Sequence, residues 1–192
     1  HYDLLKVMDR RVGEILEQLE ADGLADETVV FFFSDHGIGL LQGKRWLNHS
    51  GLHVPLVVRV PERWREQIPE GEAPTNGQLL SFTDFAPTVL RIAGVPVPDY
   101  MQGIPFLGNP AMPAREYVYG SRSRADDVYD ISRSVFDGEY FYVRHFMPFI
   151  PPVSEAIIYS EKKRVYAELE RLRAEGNEKA QAYYQEKPLE AL

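Results

Sequence analysis

The run Thr28-Val29-Val30-Phe31-Phe32-Phe33 constrains the fold more than any other part of this chain. Every residue after Thr28 is apolar, and β-branched and aromatic side chains suit strands. A strand that is apolar on both faces must be covered on both, as in a central strand of a parallel sheet flanked by helices. The residues before it agree. Leu5, Met8, Val12, Ile15, Leu16 and Leu19 recur at steps of three or four and predict an amphipathic helix over Tyr2–Asp22. Gly23 suits the left-handed cap that ends such a helix, and Leu24 can fold back on its last turn. Helix, short turn and buried strand are the half-unit of an α/β layer structure.

A second apolar strand is predicted over Val54–Val60, bracketed by Pro55 and Pro61, with Pro55 at a sheet edge or ahead of the ladder bonds. Residues 62–76 are polar with Pro and Gly and read as a surface excursion. Thr83 is a plausible N-cap for a helix from Asp84 to Ala93, stopped by Gly94. Residues 95–115 carry Pro96, Pro98, Pro105, Pro110 and Pro113 and read as a long ordered loop. The pattern then changes. Glu116–Tyr119, Ile131–Phe136 and Glu139–His145 are short strand candidates, with Asp137-Gly138 as a hairpin signal between the last two. Charged helical stretches follow at Ser154–Glu175 and Lys179–Glu186. The fold class is therefore α/β. Residues 1–113 form part of a mainly parallel sheet flanked by helices, and residues 114–192 form a small α+β lobe.

Composition excludes several classes. Lys plus Arg is 21 and Asp plus Glu is 29, a net charge of −8. That argues against broad nucleic-acid or anionic-membrane binding, but leaves room for one locally bound anion. Cysteine is absent, which removes disulfides, thiolate metal sites and a cysteine nucleophile. No apolar stretch approaches the roughly 18 residues of a membrane span. The chain begins at His1 and both ends look cut, so localisation stays open.

Ser34-Asp35-His36-Gly37 follows the apolar strand directly. The carboxyl end of a strand in an open α/β sheet is where loops diverge and ligands bind. A carboxylate oxygen and an imidazole nitrogen can meet one cation there if the backbone turns sharply, which Gly37 and Gly39 permit. The plainer alternative is a loop-capping Asp35 and a packed His36. Lys44, after Gly43, can hold a tetrahedral oxyanion. Its alternative, shared with Arg45, is a solvated surface cation. His49 and His53 can line the same crevice or be structural. Arg122 or Arg124 can grip a substrate anion through a two-point contact, or can pair with Asp126, Asp127 and Asp130. Triad spacing, a glycine-rich phosphate loop and zinc-ligand spacing are all missing.

An ordered set of segments resembles the sulfatases of the alkaline-phosphatase superfamily. They are Tyr2–Asp9 with Val12-Gly13, Asp26–Val30, Ser34–Gly37, Gly43–Arg45, His53–Pro61, Thr83–Leu90 and Ala93-Gly94. The stretch Asp130–Arg144 is similar to the downstream hairpin of a bacterial-type subgroup. The resemblance implies hydrolysis of sulfate esters, with a sulfated small molecule or sugar as substrate; the net charge already argues against a nucleic-acid partner. It implies that Asp35 and His36 are the second pair of ligands of one calcium ion, many members having asparagine at the His36 position. It implies that Lys44 contacts the sulfate and acts in catalysis. Arg124 joins it as a candidate substrate-binding residue. Relatives often have an acid at the His49 position.

The departures are equally definite. No serine here begins the Cys/Ser-x-Pro/Ala-x-Arg pattern from which the family makes its formylglycine nucleophile. The paired aspartates that complete the metal site, and the upstream lysine and histidine, are also missing. The chain thus reads as the interior and carboxyl part of a sulfatase, inactive by itself. The alternatives are a phosphodiesterase or phosphonate hydrolase of the same superfamily, or a non-catalytic fragment.

Overall fold

The computed structural model describes residues 2–41, 43–68, 77–108, 112–125, 128–153 and 164–192. In chain order the elements are α1 (Tyr2–Ala21), β1 (Val30–Phe33), α2 (His49–Leu52), β2 (Leu56–Arg59), α3 (Phe85–Ile92), β3 (Val118–Ala125), β4 (Val128–Phe136), β5 (Phe141–His145), α4 (Arg164–Ala174), α5 (Glu178–Ala182) and β6 (Glu190–Ala191). They fall into two compact units interleaved in sequence. One gathers residues 1–32, 56–76 and 81–114, and the other residues 33–55, 77–80 and 115–192.

In the first unit α1 stops as its sequence requires. Gly23 takes φ +70°, the Leu24 N–H donates to the Leu19 carbonyl at 2.9 Å, and the Gly23 N–H donates to Glu20 at 3.0 Å. β1 pairs with β2 in a two-stranded sheet, so its apolar faces are only partly covered and Phe33 is exposed. The rings of Phe31, Phe85 and Phe106 cluster at 5.7–6.4 Å between centroids. Beside them Asp84 and Thr88 are fully buried and satisfied. The Asp84 carboxylate accepts from the Ser81 N–H (2.7 Å) and the Ile104 N–H (2.8 Å). The Thr88 hydroxyl accepts from the Phe106 N–H at 3.1 Å and donates to the Asp84 carbonyl. The N-cap here is Ser81, in a capping box with Asp84, and not Thr83. A 3-10 turn at Phe82–Asp84 extends the entry by one turn, which moves the cap upstream.

The second unit is built on an antiparallel sheet ordered β3-β4-β5-β6. The mainly parallel sheet was expected of residues 1–113, whereas this antiparallel sheet lies in the stretch 114–192 expected to form the α+β lobe. Its strand direction is set locally. Asp137-Gly138 makes a tight hairpin, with Gly138 at φ +102° and the Asp137 carboxylate accepting from the Glu139 and Tyr140 N–H groups. Only antiparallel strands can be joined so briefly. Val153, Leu169 and Ala180 form an apolar core with Leu41, Tyr166, Leu172, Tyr183 and Tyr184 around it. Of the helix expected over Ser154–Glu175, residues 154–163 lie outside the described residues, and α4 occupies the remainder. No helix among the described residues is long and apolar enough to cross a membrane.

Candidate functional site

The loop that leaves β1 is folded back on itself by close backbone contacts. The Gly37 N–H donates to the Gly51 carbonyl at 3.0 Å, and a Cβ on Gly37 would strike the Ser50 carbonyl oxygen. The short helix α2 starts at Asn48, whose side chain accepts from the Gly51 N–H at 2.9 Å. His49, its first residue, and His53, which caps its end, stack edge to face at 4.4 Å between ring centroids.

Asp35 and His36 converge within this loop. The His36 Nδ1 lies 2.8 Å from the Gly37 carbonyl oxygen, which can only accept, so Nδ1 carries the proton. In the neutral ring that leaves the lone pair on Nε2, which sits 3.5 Å from Asp35 Oδ1. The Asp35 side chain is 82% exposed, so water or another ligand can reach it. Ser34 fixes the turn by donating from its hydroxyl to the His36 carbonyl at 2.8 Å. The pair therefore presents one hard oxygen and one nitrogen to the same point. No third His, Asp or Glu joins them in a metal-sized cluster among the described residues.

Lys44 is on the same loop, half-buried, in the tight turn Gly43–Trp46 closed by the Trp46 N–H to the Gly43 carbonyl at 3.0 Å. The Lys44 N–H itself donates to the Ile38 carbonyl at 2.7 Å. Arg45, the next residue, has φ +76° and is alone among the described non-glycine residues in the left-handed region. Arg124 is exposed on β3, with its guanidinium 5.4 Å from the Tyr129 ring centre. A register shift between Arg122 and Arg124 turns it away from the buried face that Arg122 occupies.

Arg122 pairs with Asp130, one of the aspartates the sequence offered as its partner, while Trp46 and Lys187 beside it carried no such signal. One of its Nη atoms donates to the Arg45 carbonyl at 2.9 Å and the other contacts Asp130 Oδ2. Asp130 is completely buried, and its second oxygen accepts from Lys187 Nζ at 2.6 Å. The Trp46 ring lies 4.5 Å from the Arg122 guanidinium and 5.9 Å from the Lys187 ammonium. Burial and the neighbouring Arg45 charge push the Arg122 guanidinium down to about 10. Burial and Arg122 push the Lys187 ammonium down to about 8. Both remain cationic at neutral pH. Removing one member of such a buried set typically costs about 3–5 kcal/mol, because the others are left uncompensated. The signal available in sequence was the period-two set Asp130, Ser132 and Ser134 on β4, all of which face inward. Leu47 and Leu52 also press on the sheet, closing the space over Gly120. The loop bearing Asp35, His36 and Lys44 is thus seated on β3–β4.

Comparison with known proteins follows the same residues. A family model described as Sulfatase matches residues 1–95. An ulvan-active sulfatase from Formosa agariphila is 39% identical across 100% of this chain, which spans 31% of that protein. Human N-sulphoglucosamine sulphohydrolase is 28% identical over 79% of this chain and 31% of its own length. Among solved structures, that of BT4656 in complex with its substrate D-glucosamine-2-N,6-O-disulfate superposes with a TM-score of 0.56 at 24% identity. It covers 94% of this chain and 39% of BT4656. The chain accordingly spans about a third of the length of these relatives.

Proposed function

The chain belongs to the sulfatase family, and from that premise we propose that it supplies part of the active site of an enzyme hydrolysing sulfate esters. The observation that carries this reading is the convergence of Asp35 Oδ1 and His36 Nε2, 3.5 Å apart, on the loop that also carries Lys44. Asp35 and His36 supply two ligands of a single calcium ion. The donor set fits such a role in part, since calcium takes six to eight oxygen-rich ligands and only one carboxylate is offered here. The rest of the shell comes from water and from segments of the parent protein beyond this chain. A bound divalent cation supplies the positive charge that polarises the sulfate oxygens.

The chain's own residues do the remainder. Lys44 contacts the sulfate and stabilises charge on its oxygens as the bond to the leaving oxygen breaks. The Gly37 carbonyl holds the His36 ring so that Nε2, not Nδ1, faces the cation. Arg124, exposed on β3, binds a further anionic group of the substrate by a two-point contact. The substrate is a sulfated sugar. Support comes from the disulfated glucosamine bound by BT4656 and from the ulvan activity of the Formosa protein. The 192-residue chain alone is inactive, since no serine or cysteine in it begins a formylglycine motif.

The test is sulfate release by the full-length protein from a panel of sulfated monosaccharides, with bis-aryl phosphodiesters and phosphonate esters in parallel. Turnover of the sulfate esters supports the reading. Turnover confined to the phosphorus esters contradicts it, and so does sulfate release by the 192-residue chain alone.

A further inference from the structure

We propose that Arg122 is a positioning residue for Lys44. The proposal rests on the reading of Lys44 as the sulfate-contacting cation, and adds a residue that holds it in place from a different part of the fold.

Gly43 to Trp46 is a four-residue turn closed by a hydrogen bond, with Lys44 and Arg45 as its central pair. A positive φ at the second central position is the preference of glycine, yet here it is Arg45 at +76°. A side chain pays steric strain in that region, so the turn needs an external hold. The hold is the Arg122 guanidinium, which donates to the Arg45 carbonyl at 2.9 Å. Arg122 is itself fixed by Asp130 and by the face of Trp46, and Asp130 is anchored on its other oxygen by Lys187. On its other side Lys44 is pinned by its own N–H to the Ile38 carbonyl. Lys44 therefore leaves the loop between two fixed backbone bonds. Only a planar fork can serve Asp130 and the Arg45 carbonyl together; an ammonium at the same place keeps the charge and loses the second contact.

The experiment is a mutant cycle on sulfate release by the full-length protein. Arg122→Lys lowers kcat/KM about tenfold to a hundredfold, the scale of a misplaced catalytic group. Arg45→Val, which disfavours the left-handed turn while leaving Arg122, Asp130 and Lys187 in place, lowers it similarly and covers the case in which Arg122→Lys does not fold. In the Lys44→Ala background both substitutions cost less than twofold, because there is no longer a cation to position. Equal losses in the two backgrounds overturn the proposal and leave Arg122 a merely structural residue. Lys44→Ala with full activity overturns the reading of Lys44 itself, and the proposal with it.

Discussion

Asp35 Oδ1 and His36 Nε2 lie 3.5 Å apart, although adjacent side chains on an extended strand point to opposite faces. The turn just beyond β1 breaks that alternation, and the Gly37 carbonyl then dictates which imidazole nitrogen is left with a lone pair. One carboxylate oxygen and one nitrogen are an unusual pair for a calcium site, which defines a test of metal preference. Replacing His36 by asparagine exchanges a nitrogen ligand for an amide oxygen. The full-length protein with His36→Asn gains preference for calcium over manganese by about tenfold in competitive titration. An unchanged ratio places His36 outside the coordination shell.

The packing of Gly37 against the Ser50 carbonyl leaves no volume for a Cβ. Gly37→Ala separates the two arms of the loop and costs about 1–3 kcal/mol in denaturant unfolding, the range for overpacking a tight site. Metal affinity falls with it, because the same carbonyl that orients His36 belongs to this residue. Gly77→Ala, in open space, is the control and leaves both unchanged.

The β4–β5 pair carries a pH signature. Ser132 Oγ and His145 Nδ1 are 2.9 Å apart, and burial together with the Lys187 and Arg122 charges pushes the His145 imidazole down to about 4. The unfolded chain takes up this proton near pH 6.5 while the folded one resists, so the unfolded state binds more protons between those values. Stability is therefore lost as pH falls from about 6.5 to about 4 and levels off below. His145→Gln, which does not titrate, flattens that limb by on the order of 2 kcal/mol in urea unfolding at pH 7 and pH 4.5. An identical pH dependence in the variant assigns the limb to other groups.

The local parts of this architecture were legible from sequence, and the non-local parts were not. The stripe from Leu5 to Leu19 and the stop at Gly23 specify α1 within a residue, because periodicity and capping act over a few positions. Asp137-Gly138 specifies its hairpin for the same reason. The Ser81 cap was masked by Thr83, an equally good capping residue two positions later. Sheet direction was harder, since an apolar run says that a strand is covered but not by what. The inward face of β4 ran against hydrophobic pattern altogether: Asp130, Ser132 and Ser134 are buried while Tyr129 and Arg133 are exposed. Asp130 and Ser132 are inside because Arg122, Lys187 and His145 meet them there, and such partners come from 8 to 57 positions away. The hold of Arg122 on Arg45 spans 77 positions and has no local signal.

The central claim is that Asp35 and His36 bind the cation while Lys44 serves the sulfate. Calorimetric titration of calcium into the full-length protein, with sulfate release measured on the same samples, separates the two roles. Asp35→Asn removes the charged ligand, and the account predicts that it loses calcium affinity by at least tenfold together with activity. Lys44→Ala is predicted to lose activity while binding calcium as tightly as the parent. An Asp35→Asn protein that binds calcium with undiminished affinity puts the metal elsewhere and contradicts the account.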